Sequence, residues 1–167
     1  FMFVTLGTGV GGGVILNGKP FHGPGGMAGE IGHMYTGHDR QCGCGTIGCL
    51  EAIASARAME TLAAQQLGRT LSLKELAAAA REGDRDALSV FRTSGLALGI
   101  ALSQVALLLD LRVFLFGGGG APALDLLAPH ALKEMAKRCF GRCASDFQLT
   151  VATLGNDAGI HGAARLI

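Results

Sequence analysis

The feature that most constrains the fold of this chain is a cluster of three cysteines, Cys42, Cys44 and Cys49, with glycines between them. Glycine lets the backbone turn tightly enough for closely spaced thiolates to converge, and structural Zn²⁺ is held by four ligands in a tetrahedron. Two histidines precede the cluster, His33 and His38, and either one would complete a set of one histidine and three cysteines. The sequence therefore predicts a structural zinc site around which the chain is arranged.

Two carboxylates, Glu30 and Glu51, flank this cluster on either side. A zinc ion that is already held by one histidine and three cysteines does not need them. Glutamates usually lie on the surface without a specific role, but this pair frames the predicted metal site. We expect Glu30 and Glu51 to serve a ligand other than the metal.

The composition is that of one globular domain with a buried core. The chain has 167 residues, of which 49% are hydrophobic and 16% are charged. A net charge of +1, without any run of Lys or Arg, argues against binding of nucleic acid through this segment. The longest apolar run, residues 95–109, is interrupted by Ser103 and Gln104 and is too short for a membrane span, so no membrane association is expected.

The cysteines also indicate the cellular compartment. Three of the five cysteines form the metal cluster, which suits a reducing compartment better than a disulfide framework would. Cys139 and Cys143 have the spacing of one helical turn and no nearby histidine partner, so we expect them to pack as small helix residues. The expected localisation is cytoplasmic.

Three β-rich runs open the chain, at residues 1–6, 10–16 and 19–22. The Asn-Gly pair at residues 17–18 predicts a hairpin, because both residues tolerate positive φ. Glycines between the first two runs allow close backbone approach to a ligand, and amide N–H groups with the Thr8 hydroxyl are suited to phosphate oxygens. Taken alone, this loop is as consistent with a tight turn as with a phosphate site.

Three helices are predicted after the cysteine cluster. Residues 52–66 are rich in Ala, Leu, Met and Glu, and Gly68 supplies a stop. A capping box at residues 72–75 opens a second helix that ends by Gly83. Apolar residues at helical spacing predict a third helix over residues 84–109.

A buried parallel strand is predicted at residues 112–116, followed by four glycines at residues 117–120. Pro122 suits the first turn of a helix, and Pro129 is expected to restart that helix, which continues through Arg142. A strand, a glycine cluster and a helix start in this order favour contact with a nucleotide. The remaining predicted elements are a strand at residues 147–153 and a closing helix to residue 167, with Asn156 or Asp157 as its N-cap.

The order of these elements predicts an α/β domain whose mixed sheet begins with a hairpin and ends with parallel βα units. Gly95 and Gly99 lie on one face of the third helix and predict close packing against a neighbouring element.

The motifs of this chain resemble those of the ROK family of sugar kinases, repressors and uncharacterised open reading frames. A Gly-Thr-Gly loop, a Glu-x-Gly-His motif, a cysteine knuckle and two later glycine motifs follow one another in the family's order. These stretches are residues 6–13, 29–33, 42–51, 116–119 and 154–164. The resemblance implies an actin-like ATPase (ribonuclease H-like) fold, with a mixed sheet, flanking helices and a zinc knuckle. It also implies that residues 1–167 are a single domain, the larger C-terminal half of a sugar kinase.

The resemblance favours His33 over His38 as the fourth zinc ligand, because His33 lies in the Glu-x-Gly-His motif. Its second ring nitrogen would then point at the sugar. Glu30, His33 and Glu51 are implied to bind a hexose or N-acetylhexosamine, since carboxylates accept strong hydrogen bonds from hydroxyls. Zinc would orient His33 and take no part in phosphoryl transfer. The implied metal ligands are His33, Cys42, Cys44 and Cys49.

The same resemblance implies an ATP site, with Mg²⁺ in the full-length protein. One loop would hold phosphates and the other would approach the adenosine. The implied ATP-binding residues are Gly7, Thr8, Gly9 and Gly11 in the first of these loops and Gly117, Gly118 and Gly119 in the second.

No catalytic residue is assigned within this chain. In the family the general base is an Asp in an Asn-Asp-Ala-Asn type motif, which belongs to the missing N-terminal half together with another phosphate loop. Asp157 lies in a different family motif and is not taken as the base. The segment alone is therefore expected to be inactive.

We expect the full-length protein to be a glucokinase-like ATP:hexose phosphotransferase and a homodimer. The alternatives are the sugar-sensing domain of a ROK repressor and a zinc-binding interaction module. The identity of the sugar depends on residues from the missing half.

Overall fold

The computed structural model describes residues 1–154, and its strands form a five-stranded sheet. The predicted closing helix, with Asn156 or Asp157 as its N-cap, lies outside the described residues. The strands are β1 (Met2–Leu6), β2 (Val10–Leu16), β3 (Lys19–Phe21), β4 (Val113–Gly117) and β5 (Gln148–Val151).

The sheet is mixed and has the strand order β3-β2-β1-β4-β5. The strands β1, β2 and β3 pair antiparallel, whereas β4 pairs parallel with both β1 and β5. Asn17 and Gly18 join β2 to β3 with φ of 52° and 76°, the positive values that a tight hairpin turn requires. The prediction of a hairpin followed by parallel units is confirmed. The last strand is shorter than the predicted residues 147–153.

Five α-helices lie between strands in the described part of the chain, four of them between β3 and β4 and one between β4 and β5. They are α1 (Glu51–Ala54), α2 (Ala56–Leu67), α3 (Leu73–Arg81), α4 (Arg85–Leu109) and α5 (Leu124–Arg138). Short 3₁₀ turns occur at Ile31–His33, Ala121–Ala123 and Ala144–Asp146.

The prediction of one helix over residues 52–66 was wrong, because Ser55 divides it into α1 and α2. Ser55 is extended, with ψ of 157°, and its hydroxyl accepts a hydrogen bond from the Ala58 N–H at 3.1 Å. A serine in this geometry caps a new helix and does not continue the previous one. The break makes α2 a separate helix, with one residue between its start and the end of α1.

The predicted restart at Pro129 was also wrong, since Pro129 lies inside the continuous helix α5. A proline inside a helix removes one hydrogen bond and crowds the carbonyl of residue i−4, but α5 packs extensively against α4 and remains helical through that position. The helix ends at Arg138 and not at Arg142, because Cys139 has φ of −89° and ψ of 93°. Pro122 lies in the 3₁₀ turn that precedes α5.

The core lies on one face of the sheet. Alternate side chains of β1 and β4 are buried there together with residues of α4 and α5. Glycines bring the two long helices close: a Cβ on Gly95 would lie 2.7 Å from the Leu127 carbonyl oxygen, and one on Gly99 would lie 2.5 Å from that of Ala131. The predicted packing role of these two glycines is confirmed.

By length and composition alone, α4 is apolar enough to cross a membrane. In the fold, 56% of its most apolar window is buried inside the protein. The apolar residues of α4 therefore form part of the protein core.

Candidate metal and ligand site

The cysteine knuckle is built by backbone hydrogen bonds that fold residues 35–49 back on themselves. The Thr36 N–H donates to the Gly48 carbonyl at 2.8 Å, and the Cys42 N–H donates to the Thr46 carbonyl at 2.8 Å. Gly45 and Gly48 have φ of 91° and 89°, which side-chain-bearing residues rarely adopt. The two tight turns bring cysteines that are distant along the loop into one cluster.

His33, Cys42, Cys44 and Cys49 present ligand atoms that all lie within 4.8 Å of one another. The Sγ atoms of Cys44 and Cys49 are 3.7 Å apart, and Cys42 Sγ is 3.8 Å from His33 Nδ1. Zn–S bonds of about 2.3 Å in a tetrahedron place neighbouring sulfurs about 3.8 Å apart. The cluster has the donor set and the size to hold zinc.

The cysteine thiols differ in acidity before any metal binds. Hydrogen bonds, the first of them from the Thr46 backbone, lower the pKa of Cys44 to about 6. Burial, followed by its thiol neighbours, raises the pKa of Cys49 to about 12. Zinc binds thiolates, so a zinc ion held here would require the buried Cys49 thiol to give up its proton.

His38 lies outside the ligand cluster because both of its ring nitrogens are already used. Nε2 is 2.9 Å from the Cys49 carbonyl oxygen and acts as the donor, whereas Nδ1 accepts the Arg40 N–H at 3.1 Å. A ring held in this way supports the knuckle backbone and has no lone pair left for a metal. Of the two candidate histidines, the structure brings His33 to the cysteines.

The imidazole of His33 connects the metal cluster to Glu30. The 3₁₀ turn at Ile31–His33 places both side chains on one side, and His33 Nε2 is 4.0 Å from Glu30 Oε2 while Nδ1 faces Cys42. The turn can approach β2 closely because Gly32 packs against the Val10 carbonyl, where a Cβ would not fit. Glu30 and His33 remain open to a ligand, with 57% and 42% of their side chains exposed.

Glu51 begins α1 and is fixed from two sides. Its Oε2 accepts the Val10 N–H at 3.0 Å, and its Oε1 lies 3.7 Å from Cys42 Sγ. Gly9 packs directly against this carboxylate, and a Cβ at that position would collide with it. The carboxylate is thereby held between the β1–β2 loop and the knuckle.

The two glycine loops meet at one edge of the sheet, where the parallel strands β1 and β4 end side by side. Gly7 donates its N–H to the Gly9 carbonyl at 3.0 Å, and Gly120 donates to the Leu6 carbonyl at 2.8 Å. Gly118, with φ of 84°, packs against the same Leu6 carbonyl. Thr8 is exposed on the β1–β2 loop, and positions 7 and 119 have open space where a Cβ would stand.

Gly11 is placed differently from the other residues that were predicted to bind ATP. It lies within β2, and its N–H donates to the Thr5 hydroxyl at 3.2 Å. Its amide is therefore not part of the loop surface formed by Gly7, Thr8 and Gly9. Gly117 ends β4 and packs against the ring of Phe3.

Two arginines that the sequence reasoning missed lie beside this site. Arg40 and Arg57 line a polar cavity of about 360 Å³ together with Thr8 and Glu51. The sequence signal for them is weak, namely one arginine just before the first cysteine and one in the first turn after Ser55. A second cavity, of about 330 Å³, lies beside Gly119 and is also lined by Leu73, Lys74, Ala77, Arg81, Pro122 and Ala123.

A mixed sheet in this order, with helices α4 and α5 on its core face and two glycine loops at one edge, is the fold of actin-like ATPases. The site beside it defines a class of such proteins that carry a Cys/His cluster able to hold zinc. Residues 1–167 match the family model of the ROK family, and the chain belongs to that family.

Two relatives show how much of a complete protein the chain represents. It is 35% identical over 182 residues to the glucokinase of Halalkalibacterium halodurans, covering 99% of this chain and 55% of that protein. It is 36% identical over 169 residues to an N-acetylmannosamine kinase of Escherichia coli, with the same coverage of 99% and 55%. The chain therefore spans about half the length of the curated relatives it matches.

Solved structures of the family likewise match nearly all of this chain and only part of their own length. A ROK family glucokinase from Streptomyces griseus in complex with glucose and AMPPNP matches with a TM-score of 0.85 and 33% identity, over 99% of this chain and 59% of that one. A ROK family transcriptional regulator, a homologue of the Escherichia coli MLC protein, matches with a TM-score of 0.78 and 27% identity, over 90% and 41%. Both sugar kinases and a regulator thus share this half of the fold.

Proposed function

We propose that this chain is the larger, C-terminal half of an ATP-dependent hexose kinase and that it supplies the sugar site, a structural zinc site and part of the ATP site. The observation that carries the proposal is the position of Glu51. Its carboxylate accepts the N–H of Val10, the residue directly after the loop that would hold phosphates, and also lies beside the metal cluster. A sugar held by Glu51 would therefore lie next to the phosphates of ATP.

In this proposal His33, Cys42, Cys44 and Cys49 hold Zn²⁺, which keeps the knuckle folded and orients the imidazole of His33. With Nδ1 on the metal, Nε2 carries the proton and donates to a sugar hydroxyl. Glu30 and Glu51 accept hydrogen bonds from neighbouring hydroxyls. Ionised carboxylates make such bonds stronger than neutral acceptors do.

The loop of Gly7, Thr8 and Gly9 would hold ATP phosphates through its N–H groups and the Thr8 hydroxyl, and Gly117, Gly118 and Gly119 would approach the adenosine. Mg²⁺ neutralises phosphate charge in such reactions. Gly11 supports this loop indirectly, since its own N–H is bonded to Thr5. The cavity beside Gly119 is the natural place for the adenosine.

The general base and the other phosphate loop would come from the part of its relatives' length that this chain does not span, so we propose that the segment alone does not turn over substrate. A glucose-like hexose or an N-acetylhexosamine is the proposed substrate, as the names of the relatives suggest. The full-length protein is proposed to be a cytoplasmic homodimer.

A sugar-sensing domain of a repressor is the second candidate, because the regulator homologue shares this half of the fold. The deciding experiment is to measure ADP release by the full-length protein with ATP and a panel that includes glucose and N-acetylmannosamine. Release with one of these sugars is expected. Failure with every hexose, together with a thermal shift caused by sugar, would favour the repressor, and the absence of any sugar-induced shift would favour a zinc-binding interaction module.

A further inference from the structure

The polar cavity of about 360 Å³ lies where three segments of the chain meet. Thr8 comes from the β1–β2 loop, Arg40 and Gln41 come from the start of the knuckle, and Arg57 comes from the first turn of α2. Glu51 is the carboxylate among its lining residues, which also include the two arginines. Two guanidinium groups outnumber this carboxylate, so the cavity lining carries a net positive charge, and the Glu51 Oε2 atom is already bonded to the Val10 N–H.

Arg40 is held in place by the elements around it. Its Nε donates to the Ala52 carbonyl at 3.0 Å, and its Nη1 donates to Gln65 Oε1 at 3.3 Å. Neither partner is charged, so its charge is not neutralised by these bonds. The guanidinium has further N–H donors, and they are available to a ligand in the cavity.

Arg57 is exposed, and no carboxylate in residues 1–154 forms an ion pair with it. It lies at the N-terminal end of α2, a helix of 12 residues whose first turn contains no acidic residue. The partial positive charge of a helix N-terminus adds to that of the guanidinium. Arg81, which lines the neighbouring cavity, instead has a two-pronged ion pair with Asp125 at 2.8 and 3.0 Å.

We propose that Arg40, Arg57 and Thr8 form a phosphate-binding subsite that holds the phosphate group of the hexose phosphate product. A phosphate monoester carries a charge of about −1.5 to −2 and three acceptor oxygens, which matches two guanidinium groups and a hydroxyl. The sugar end would reach Glu51, which lines the same cavity. The phosphate chemistry follows from the cavity itself, whereas its assignment to a hexose phosphate rests on the proposed kinase function.

The test compares ligand binding in the full-length protein and in its Arg57→Ala variant. Arg85→Ala is the matched control, because Arg85 is also exposed, opens the first turn of a helix and has no ion pair among residues 1–154. Arg57→Ala should weaken the binding of both inorganic phosphate and glucose 6-phosphate about tenfold or more, whereas Arg85→Ala should leave both unchanged. Calorimetry at constant ionic strength, with chloride as the balancing anion, gives the dissociation constants.

Binding of glucose and of AMPPNP is measured as well, to distinguish a site for the phosphate of the product from a site for the phosphates of ATP. Arg57→Ala should leave glucose affinity unchanged and should raise the product-inhibition constant for glucose 6-phosphate about tenfold in a kinase assay. Equal phosphate affinity in the Arg57 and Arg85 variants would overturn the subsite. A loss of AMPPNP affinity with no change for glucose 6-phosphate would overturn its assignment to the product. If phosphate binding depends on Arg57 but no hexose is phosphorylated, the kinase proposal fails while the phosphate site stands.

Discussion

At the scale of single residues, the two histidines of the knuckle differ in which ring nitrogens are free. His38 uses both nitrogens on backbone groups, whereas His33 presents Nδ1 to Cys42 and Nε2 to the exposed Glu30. Sequence proximity alone would favour His38, which is only four residues from Cys42. The fold therefore leaves His33, and not His38, able to complete the cysteine cluster, which makes His33 the proposed ligand.

Replacement of these histidines should separate the two roles. His33→Ala should lower the zinc content well below about one ion per chain, because it removes a ligand. His38→Gln should keep about one zinc per chain, because an amide can still make a backbone bond. Metal analysis of the purified variants by mass spectrometry measures both. Equal zinc loss in the two variants would contradict the assignment of His33 as the ligand.

Gly9 is a second residue whose role follows from its neighbour, the Glu51 carboxylate. A methyl group at this position would collide with the Glu51 carboxylate and displace it from the Val10 N–H. Gly9→Ala should therefore raise the KM for hexose about tenfold or more, if Glu51 binds the sugar as proposed. Zinc content should not change. Gly13→Ala is the matched control, since a Cβ there meets open space, and an equal rise of KM in both variants would exclude the Glu51 explanation.

At the scale of elements, the contact between α4 and α5 depends on the absence of side chains at Gly95 and Gly99. Gly99→Ala should gain up to about 1 kcal/mol of helix propensity but should lose more, because its Cβ would meet a backbone carbonyl that cannot move alone. We expect a net loss of about 1–2 kcal/mol in the free energy of unfolding. Urea denaturation measures this loss. Ser89→Ala, on the exposed face of the same helix, should stay within about 0.5 kcal/mol, and a stabilised Gly99→Ala would contradict the close packing.

The ion pair between α3 and α5 predicts a dependence of stability on pH. The Arg81 guanidinium lowers the pKa of Asp125, mainly through hydrogen bonds. A carboxyl group with a lowered pKa contributes stability above its unfolded pKa, and this contribution is lost as the pH falls through the folded pKa. Asp125→Asn should lower the free energy of unfolding by less than about 1 kcal/mol at neutral pH, because both side chains of the ion pair are about half exposed. Near pH 2 the same substitution should lower it by almost nothing. Urea denaturation of both proteins at the two pH values measures the difference, and a cost that grows towards low pH would contradict the pairing.

At the scale of the whole molecule, the knuckle lies between the sheet and the residues proposed to bind sugar, since Glu51 accepts the Val10 N–H and His33 faces Cys42. Removal of zinc by a strong chelator should lower Tm by roughly 5 °C or more, because the loop of residues 35–49 has little buried apolar surface of its own. Zinc should restore Tm. Cys42→Ser should behave like the chelated protein, whereas Cys143→Ser, at an exposed position away from the cluster, should not. An unchanged Tm after complete zinc removal, confirmed by metal analysis, would contradict a structural role.

Much of the architecture could be predicted from local patterns. The Asn-Gly hairpin, the capping box at Ser72 and the length of α4 depend on interactions within a few residues, so their signals are local. The predictions were wrong where contacts between distant segments determine whether a helix starts or continues. Ser55 caps a new helix whose first N–H, that of Ala56, donates to the distant Gly7 carbonyl, and α5 remains helical at Pro129 where it packs on α4.

The sequence by itself determined the donor chemistry, the family and the order of strands and helices. Cysteines, glycines and carboxylates at these spacings are sufficient for that, because the spacing of turn and ligand residues is a local property of the chain. Only the tertiary structure showed that backbone hydrogen bonds occupy both ring nitrogens of His38, that Glu51 accepts the Val10 N–H, and that Arg40 and Arg57 share a cavity with Thr8. Residues so far apart along the chain meet only because hydrogen bonds and packing fix the directions of their side chains, and no local pattern records those directions.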